Sequence, residues 1–423
     1  MRIYDTATRG LVELPAPPGP IRMYFCGSTV YQRIHVGNAV PEVLARWLRR
    51  WLDVRGYETK LVINVTDIND KIYDAAPGAS ARLASDATRW YLEDVGRLGL
   101  GDPDAQPTAT ETVPDQIAAI ETLIERGYAY EGDGDVYYRV ARFEEYGRLS
   151  RQRLDEVVEQ EPNPRKEDPR DFALWKANKP GEDTWWESPW GRGRPGWHIE
   201  CSVMAEKHLG PAFEIHGGGL DLVFPHHENE IAQSRALGHP FASIWMHNGM
   251  LRFAGEEMHK SAGNDVSLAS ALDRWGRETV LVFFLTGHWR KPLDYSDRTL
   301  AAADARAAGF REVFRNPSVA APADAWDRLV AALDDDFNTP EALAVMHEWR
   351  DHLLLRRALD VFGLGSLAEH VVAPPALVGL ADARGEARGR GDYTEADRLR
   401  DEIAAAGWEV RDVAGGYELV PGS

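Results

Sequence analysis

The segment from Ile21 to Val65 restricts the fold more than any other part of the chain. Ile21–Cys26 is an apolar run of strand length, and Gly27, Ser28 and Thr29 break it. Leu44, Trp47, Leu48, Trp51 and Leu52 then recur at the spacing of one helix face. Gly56 supplies a helix stop, and Leu61–Val65 is a second apolar strand. Strand, helix and strand in this order form a βαβ unit, with parallel strands and a helix on one sheet face. The predicted class is therefore α/β, with a Rossmann-type parallel sheet. Ligands of such sheets collect at the carboxyl ends of the strands. His35 and Asn38 follow the first strand and Thr66 and Asp67 the second, so all four are expected at that end.

The rest of the chain divides by character. Between Asp67 and Trp190 the pattern is mixed, with a polar, proline-bearing loop at Pro162–Pro169. We read residues 95–190, approximately, as a connective insertion between two halves of the sheet. Strand-like segments return at Phe213–His216 and Ile244–His247, and one helix is predicted over Leu268–Leu285. Beyond Asp297 strand signals fade and amphipathic helices dominate. The expected domains are a catalytic unit over 1–296, a helical bundle over 297–372 and a small unit over 373–423, with Pro374-Pro375 at the last joint. In that last unit a helix is predicted from Tyr393 to Ala406, with Ala396, Leu399 and Ile403 on one face. A hairpin around Gly415-Gly416 is predicted to follow it.

Charge and cysteine content narrow the chemistry. A net charge of −19 argues against nonspecific nucleic-acid binding, but a local basic patch still permits a specific RNA partner. No apolar run reaches the roughly 18 residues of a membrane span. The first residues lack the apolar core of a signal peptide, so a cytoplasmic location is expected. The two cysteines, Cys26 and Cys201, are too few for a disulfide framework. His226 and Glu230 are four residues apart and share one face of a helix. Such a pair is either an ordinary surface contact or half of a chelate. Thiolate, imidazole and carboxylate together form a zinc donor set. Ligands drawn from distant segments place such a site where strand ends converge, within reach of a substrate.

Longer segments resemble the cysteinyl-tRNA synthetases. Met23–Gly27 leading into His35-Val36-Gly37-Asn38 is similar to that family's first strand and HIGH motif. Asn64–Lys71 resembles its NITDIDDK segment, Gly196–Ser202 its GWHIECS block, and Phe213–Glu230 matches it nearly throughout. Met258–Asn264 lies where KMSKSLGN belongs, and Asp334–Ala342 resembles the start of its helical domain. The resemblance implies one zinc ion on Cys26, Cys201, His226 and Glu230. It implies ATP, with magnesium, on His35, Gly37, Asn38, Gly217, Gly218, Gly219, Asp221 and Lys260. His35, Asn38 and Lys260 would be catalytic. L-cysteine would meet Cys26, Thr66, Trp197 and His226, and tRNA(Cys) would be the acceptor for a monomeric enzyme. Arg384, Arg388, Arg390, Arg398 and Arg400 would offer contacts to tRNA phosphates.

The sequence also departs from the family pattern. Asn38 replaces the second histidine of HIGH, and Glu257 and His259 replace a lysine and a serine of the KMSKS loop. These departures keep open a paralog that passes activated cysteine to another acceptor, such as the glucosaminyl-inositol of mycothiol biosynthesis, or one of reduced activity. A non-catalytic RNA-binding protein with a structural zinc is the remaining reading.

Overall fold

The computed structural model describes residues 1–153, 162–253, 256–257, 266–369, 373–413 and 416–421. At its centre is a four-stranded parallel sheet. Strand β1 (Pro20–Phe25) leads to helix α1 (Ala39–Val54) and strand β2 (Glu58–Ile63). Much later come α2 (Trp197–Leu209), β3 (Ala212–Gly219), α3 (Glu228–Ala236) and β4 (Phe241–Asn248). The spatial order is β4-β3-β1-β2. Connections therefore leave in opposite directions from the central pair β1 and β3, which makes their carboxyl ends the switch point of the sheet. The register Tyr24↔His216 and Phe25↔Gly217 fixes what meets there.

Both sheet edges are covered among the described residues. On the β4 side, Thr6 N–H donates to the Trp245 carbonyl at 3.0 Å, and Asp5 accepts from Trp245 N–H at 2.9 Å. On the β2 side, Ile63 N–H donates to Ala105 O at 3.2 Å and Val65 N–H to Pro107 O at 2.9 Å. An exposed edge would offer a row of unpaired backbone groups to another chain.

Helix α1 follows the predicted pattern. Leu44, Trp47, Leu48, Trp51 and Leu52 are buried, and Gly56 has φ +82° just past the helix end, the left-handed conformation common there. Its tryptophans have polar handles that find acceptors in the helical region. Trp47 Nε1 donates to Phe362 O at 2.9 Å and Trp51 Nε1 to Asp334 Oδ1 at 3.0 Å. One hydrophobic core consequently runs from Ile3 to Leu367.

The stretch between β2 and α2 carries a four-stranded antiparallel sheet of Ala129–Gly132, Asp135–Tyr138, Phe172–Ala177 and Gly193–Pro195. The predicted single helix over Leu268–Leu285 is two, Leu268–Trp275 and Arg277–Leu285. Gly276, at φ +77° and ψ 159°, turns the chain between them. Seven consecutive residues of the second helix, Thr279–Leu285, are buried, so it has no single apolar face whose shift could mark the break. Further on lie helices Asp297–Arg315, Ala325–Asp334, Thr339–Glu348 and His352–Val361. The last helices are Pro375–Gly389 and Tyr393–Ala405, followed by paired strands Trp408–Val413 and Gly416–Pro421. Gly415, at the predicted hairpin turn, lies outside the described residues.

Asp336 joins three parts of the molecule. Its carboxylate accepts from Tyr4 N–H at 2.8 Å and from Arg290 Nε at 2.7 Å, and its carbonyl accepts from Trp289 Nε1 at 2.7 Å. Replacing it by Ala strands a backbone N–H and a half-buried guanidinium, at a cost of about 2 kcal/mol. Urea unfolding of Asp336→Ala should show a midpoint lowered accordingly with an unchanged slope; an unshifted midpoint would mean that this junction contributes nothing.

Candidate functional site

Cys26 leaves β1 at the switch point, directly after Phe25. The turn there depends on Gly27, whose N–H donates to Asn64 Oδ1 at 2.9 Å. A Cβ at position 27 would lie 1.7 Å from the Asn64 carbonyl oxygen, so only glycine fits. Cys201 comes from the first half of α2, and Glu230 from the first turn of α3. His226 sits on the irregular turn that enters α3. His226 Nε2 lies 3.1 Å from Glu230 Oε1, which in turn lies 3.6 Å from Cys26 Sγ.

Ligand atoms of Cys26, Cys201, His226 and Glu230 all fall within 4.8 Å of one another, and all four residues are buried. Tetrahedral zinc with bonds of roughly 2.0–2.3 Å sets its ligands roughly 3.3–3.8 Å apart. The measured spacings approach that range, and two sulfurs, an imidazole and a carboxylate suit this ion. The donor set thus fits zinc in chemistry and in size. Burial pushes the Cys26 thiol well above its ordinary pKa, with Cys201 and Glu230 adding to the shift, and burial raises Cys201 too. A cation supplies the charge that such buried thiols need in order to ionise.

Around this set stands a group of histidines that motif spacing did not single out. His216 Nε2 lies 2.8 Å from Glu230 Oε2. His227 Nε2 faces Cys26 Sγ at 3.4 Å, and its Nδ1 faces His247 Nε2 at 2.7 Å. His247 Nδ1 then meets Thr6 Oγ1 at 2.8 Å. His198 Nδ1 meets His226 Nδ1 at 2.9 Å. Ring-to-ring hydrogen bonds need one donor and one acceptor, which neutral imidazoles supply. Burial accordingly holds His226 and His247 down to about 3, and His227 well below its ordinary value. Cys26, His216, His227 and Glu230 form a second, overlapping set of ligand atoms within the same 4.8 Å limit. The one sequence signal for this shell was the density of histidine in segments otherwise read as buried strand.

Trp197 stacks on His226, with ring centroids 4.3 Å apart. Thr66 is buried beyond the end of β2, where its Oγ1 accepts from Asn64 Nδ2 at 3.2 Å. Its backbone pairs with Ser28–Val30, so the ends of β1 and β2 stay side by side. His35 and Asn38 bracket a short helical turn, Val36–Asn38. His35 Nδ1 accepts from Asn38 N–H, and Asn38 Oδ1 from His35 N–H, each at 3.3 Å. Asparagine here therefore closes a reciprocal cap. A Cβ at Gly37 would sit 2.9 Å from the His35 ring. His35 also bridges to Ser267. Lys260, Met258 and His259 lie outside the described residues.

Two groups of expected site residues have close partners within the chain. Gly217, Gly218 and Gly219 are the glycines expected at the nucleotide. A Cβ at Gly217 would lie 2.2 Å from the Phe25 ring, and one at Gly218 or Gly219 would displace the Leu222 side chain at 2.8 Å or the Asp221 carboxylate at 2.3 Å. The five C-terminal arginines expected to face phosphates all have acidic partners within the chain. Arg384 and Arg388 pair with Asp412, Arg390 with Glu386, Arg398 with Glu395 and Glu402, and Arg400 with Asp397 and Asp401. Arg384 is in addition buried.

The parallel-sheet unit and the helical region that follows it are those of a class I aminoacyl-tRNA synthetase, as the family models show. Residues 14–305 match the model of the tRNA synthetases class I (C) catalytic domain, and residues 328–364 match the DALR domain. A cysteine–tRNA ligase of Geobacillus sp. is 41% identical over 460 aligned residues, covering 98% of each chain. One from Thioalkalivibrio sulfidiphilus is 43% identical over 454, again covering 98% of each. Among solved structures, the methionyl-tRNA synthetase of Mycobacterium tuberculosis in complex with methionyl-adenylate superposes with a TM-score of 0.61 at 15% identity. That match covers 82% of this chain and 88% of that one, and shows a shared fold. The chain belongs to the cysteine–tRNA ligase family. No helix among the described residues is long and apolar enough to cross a membrane.

The neutral histidines carry a pH signature. Unfolded, their pKa is about 6.5; folded, His226 and His247 lie near 3. As pH falls, the unfolded chain takes up protons first, so the stability present above about pH 6.5 is lost progressively towards the folded values. Metal-stripped protein should therefore show a urea midpoint that declines as the pH is lowered from about 6.5 to about 4.5, and His247→Gln should flatten that decline. A midpoint as steep in the variant as in the wild type would remove His247 from the account.

Proposed function

We propose that the chain activates L-cysteine with ATP and transfers it to tRNA(Cys), selecting the amino acid by its sulfur. The observation that carries this reading is the convergence of Cys26, Cys201, His226 and Glu230 at the sheet's switch point. Serine differs from cysteine by one atom, and a plain pocket separates near-isosteres poorly. A zinc ion held by these four groups would supply a soft Lewis acid that prefers a thiolate to a hydroxyl. Thr66 and Trp197 flank the donor set and would orient the amino acid. The family relationship supports ATP as co-substrate, accompanied by magnesium, and a cytoplasmic location.

In activation, a carboxylate oxygen of cysteine attacks the α-phosphorus of ATP, and the bond to pyrophosphate breaks. The product is cysteinyl-adenylate. Charge builds on the phosphates, so catalysis consists of positioning and electrostatic stabilisation. The capped turn at His35–Asn38 would present the His35 ring and the Asn38 amide nitrogen to phosphate oxygens, with Lys260 supplying positive charge. In transfer, a hydroxyl of the terminal adenosine attacks the carbonyl carbon and AMP leaves. The Asn38 cap retains the turn's geometry without a second imidazole, which supports a working adenylation site.

Cysteine-dependent exchange of pyrophosphate into ATP tests activation, and charging of tRNA against glucosaminyl-inositol tests the acceptor. Both should favour the ligase reading, with serine giving no exchange. Cys201→Ala should lose metal and reduce exchange by more than the roughly 10–100-fold typical of an outer-shell loss. Exchange without tRNA charging would overturn the acceptor; cysteine selectivity surviving in Cys201→Ala would overturn the role of the donor set.

A further inference from the structure

The two oxygens of Glu230 face different partners. Oε1 points into the donor set, 3.1 Å from His226 Nε2 and 3.6 Å from Cys26 Sγ. Oε2 points away from it, 2.8 Å from His216 Nε2. The side chains of both residues are 0% exposed, so no solvent can substitute for this contact. The His216 ring is itself fixed. Trp245 lies against it at 4.6 Å between centroids, and Tyr24 and Phe241 meet it edge-on at 5.2 and 5.5 Å.

We propose that His216 is a positioning residue that restrains Glu230 to one-oxygen ligation, keeping a coordination position free for the substrate sulfur. The inference rests on the zinc reading above. A carboxylate binds a metal through one oxygen or through both. With Oε2 held by an imidazole donor, only Oε1 is available to the ion. Without that donor a buried oxygen would be stranded, which is costly. Its nearest remedy is rotation toward the ion, filling the position that cysteine needs. Zinc sites accept a fifth ligand readily, so nothing in the ion's own preference prevents this. Outer-shell groups that orient a ligand in this way are a general requirement of metal sites. The competing reading is that His216 is itself a ligand, through the overlapping set with Cys26, His227 and Glu230.

The test uses the full chain loaded with zinc or with cobalt(II), whose visible spectrum reports coordination number. His216→Phe keeps a ring and removes the donor; His216→Asn withdraws the donor from Oε2, because its amide is too short to reach the Nε2 position; His216→Gln restores a donor at similar reach. Phe and Asn variants should hold one metal per chain. Their cobalt bands should weaken and shift toward higher coordination before cysteine is added, and the cysteine concentration that perturbs the spectrum should rise about tenfold or more. The KM for cysteine in pyrophosphate exchange should rise likewise, with kcat within about threefold. The Gln variant should restore spectrum and affinity together. Unchanged spectra and cysteine affinity in both donor-less variants would overturn the proposal. So would loss of metal in all three variants, which would make His216 a ligand. The cobalt readout needs neither ATP nor tRNA, so failure of the adenylation reading would appear separately, as absent exchange in the wild type.

Discussion

The pairing of β1 with β3 is the constraint on which the molecule depends. It aligns Tyr24 with His216, residues separated by 192 positions, and so delivers Cys26 and the segment ahead of Glu230 to one place. Neither segment has the means to build the site alone. The first brings a single thiol on a tight turn, and the second brings imidazoles and a carboxylate. Parallel pairing needs long crossovers, and the chain uses that length. The antiparallel sheet grows within the crossover between β2 and α2, and Cys201 enters on the helix that returns from it.

Burial then sets the chemistry. The histidines around Glu230 and Cys26 are arranged ring to ring, an arrangement open to neutral imidazoles and closed to imidazolium pairs. Their depressed proton affinity and the raised pKa of both thiols have the same cause, removal from water. The overall charge of −19 matters little at such a depth. It matters at the surface, where the C-terminal arginines are each engaged by acids close in sequence or across the last hairpin. Any phosphate contact there must compete with those pairs, an exchange that is weak on exposed surfaces and sensitive to salt.

Much of this was legible in the sequence. The βαβ unit declared itself by its periodicity, and the strands at Phe213–His216 and Ile244–His247 lie where their apolar runs placed them. The four donor residues stood out because thiol, imidazole and carboxylate are rare company. The shell behind them did not, because a histidine inside a strand pattern has no spacing that marks it as a partner of a glutamate on a later helix. His216 becomes visible only when the strand register is known. Gly276 escaped notice for a related reason: the helix after it is buried over seven consecutive residues, so no change of apolar face marks where one helix ends and the next begins. Nothing in the order of the β3 glycines reveals a second demand on one of them, that the Phe25 ring fills the space a Cβ at Gly217 would need.

The joint at Asp336 bears on how the chain is born. Tyr4 leaves the ribosome long before the carboxylate that receives its amide, which is 332 residues further on. The bonds of Thr6 and Asp5 to Trp245 can form as soon as β4 is made, but the anchor at Asp336 comes only after all four strands of the parallel sheet. The segment that covers the β4 edge is therefore the last part of the sheet to be secured from both sides, at the edge where a neighbouring chain could otherwise pair.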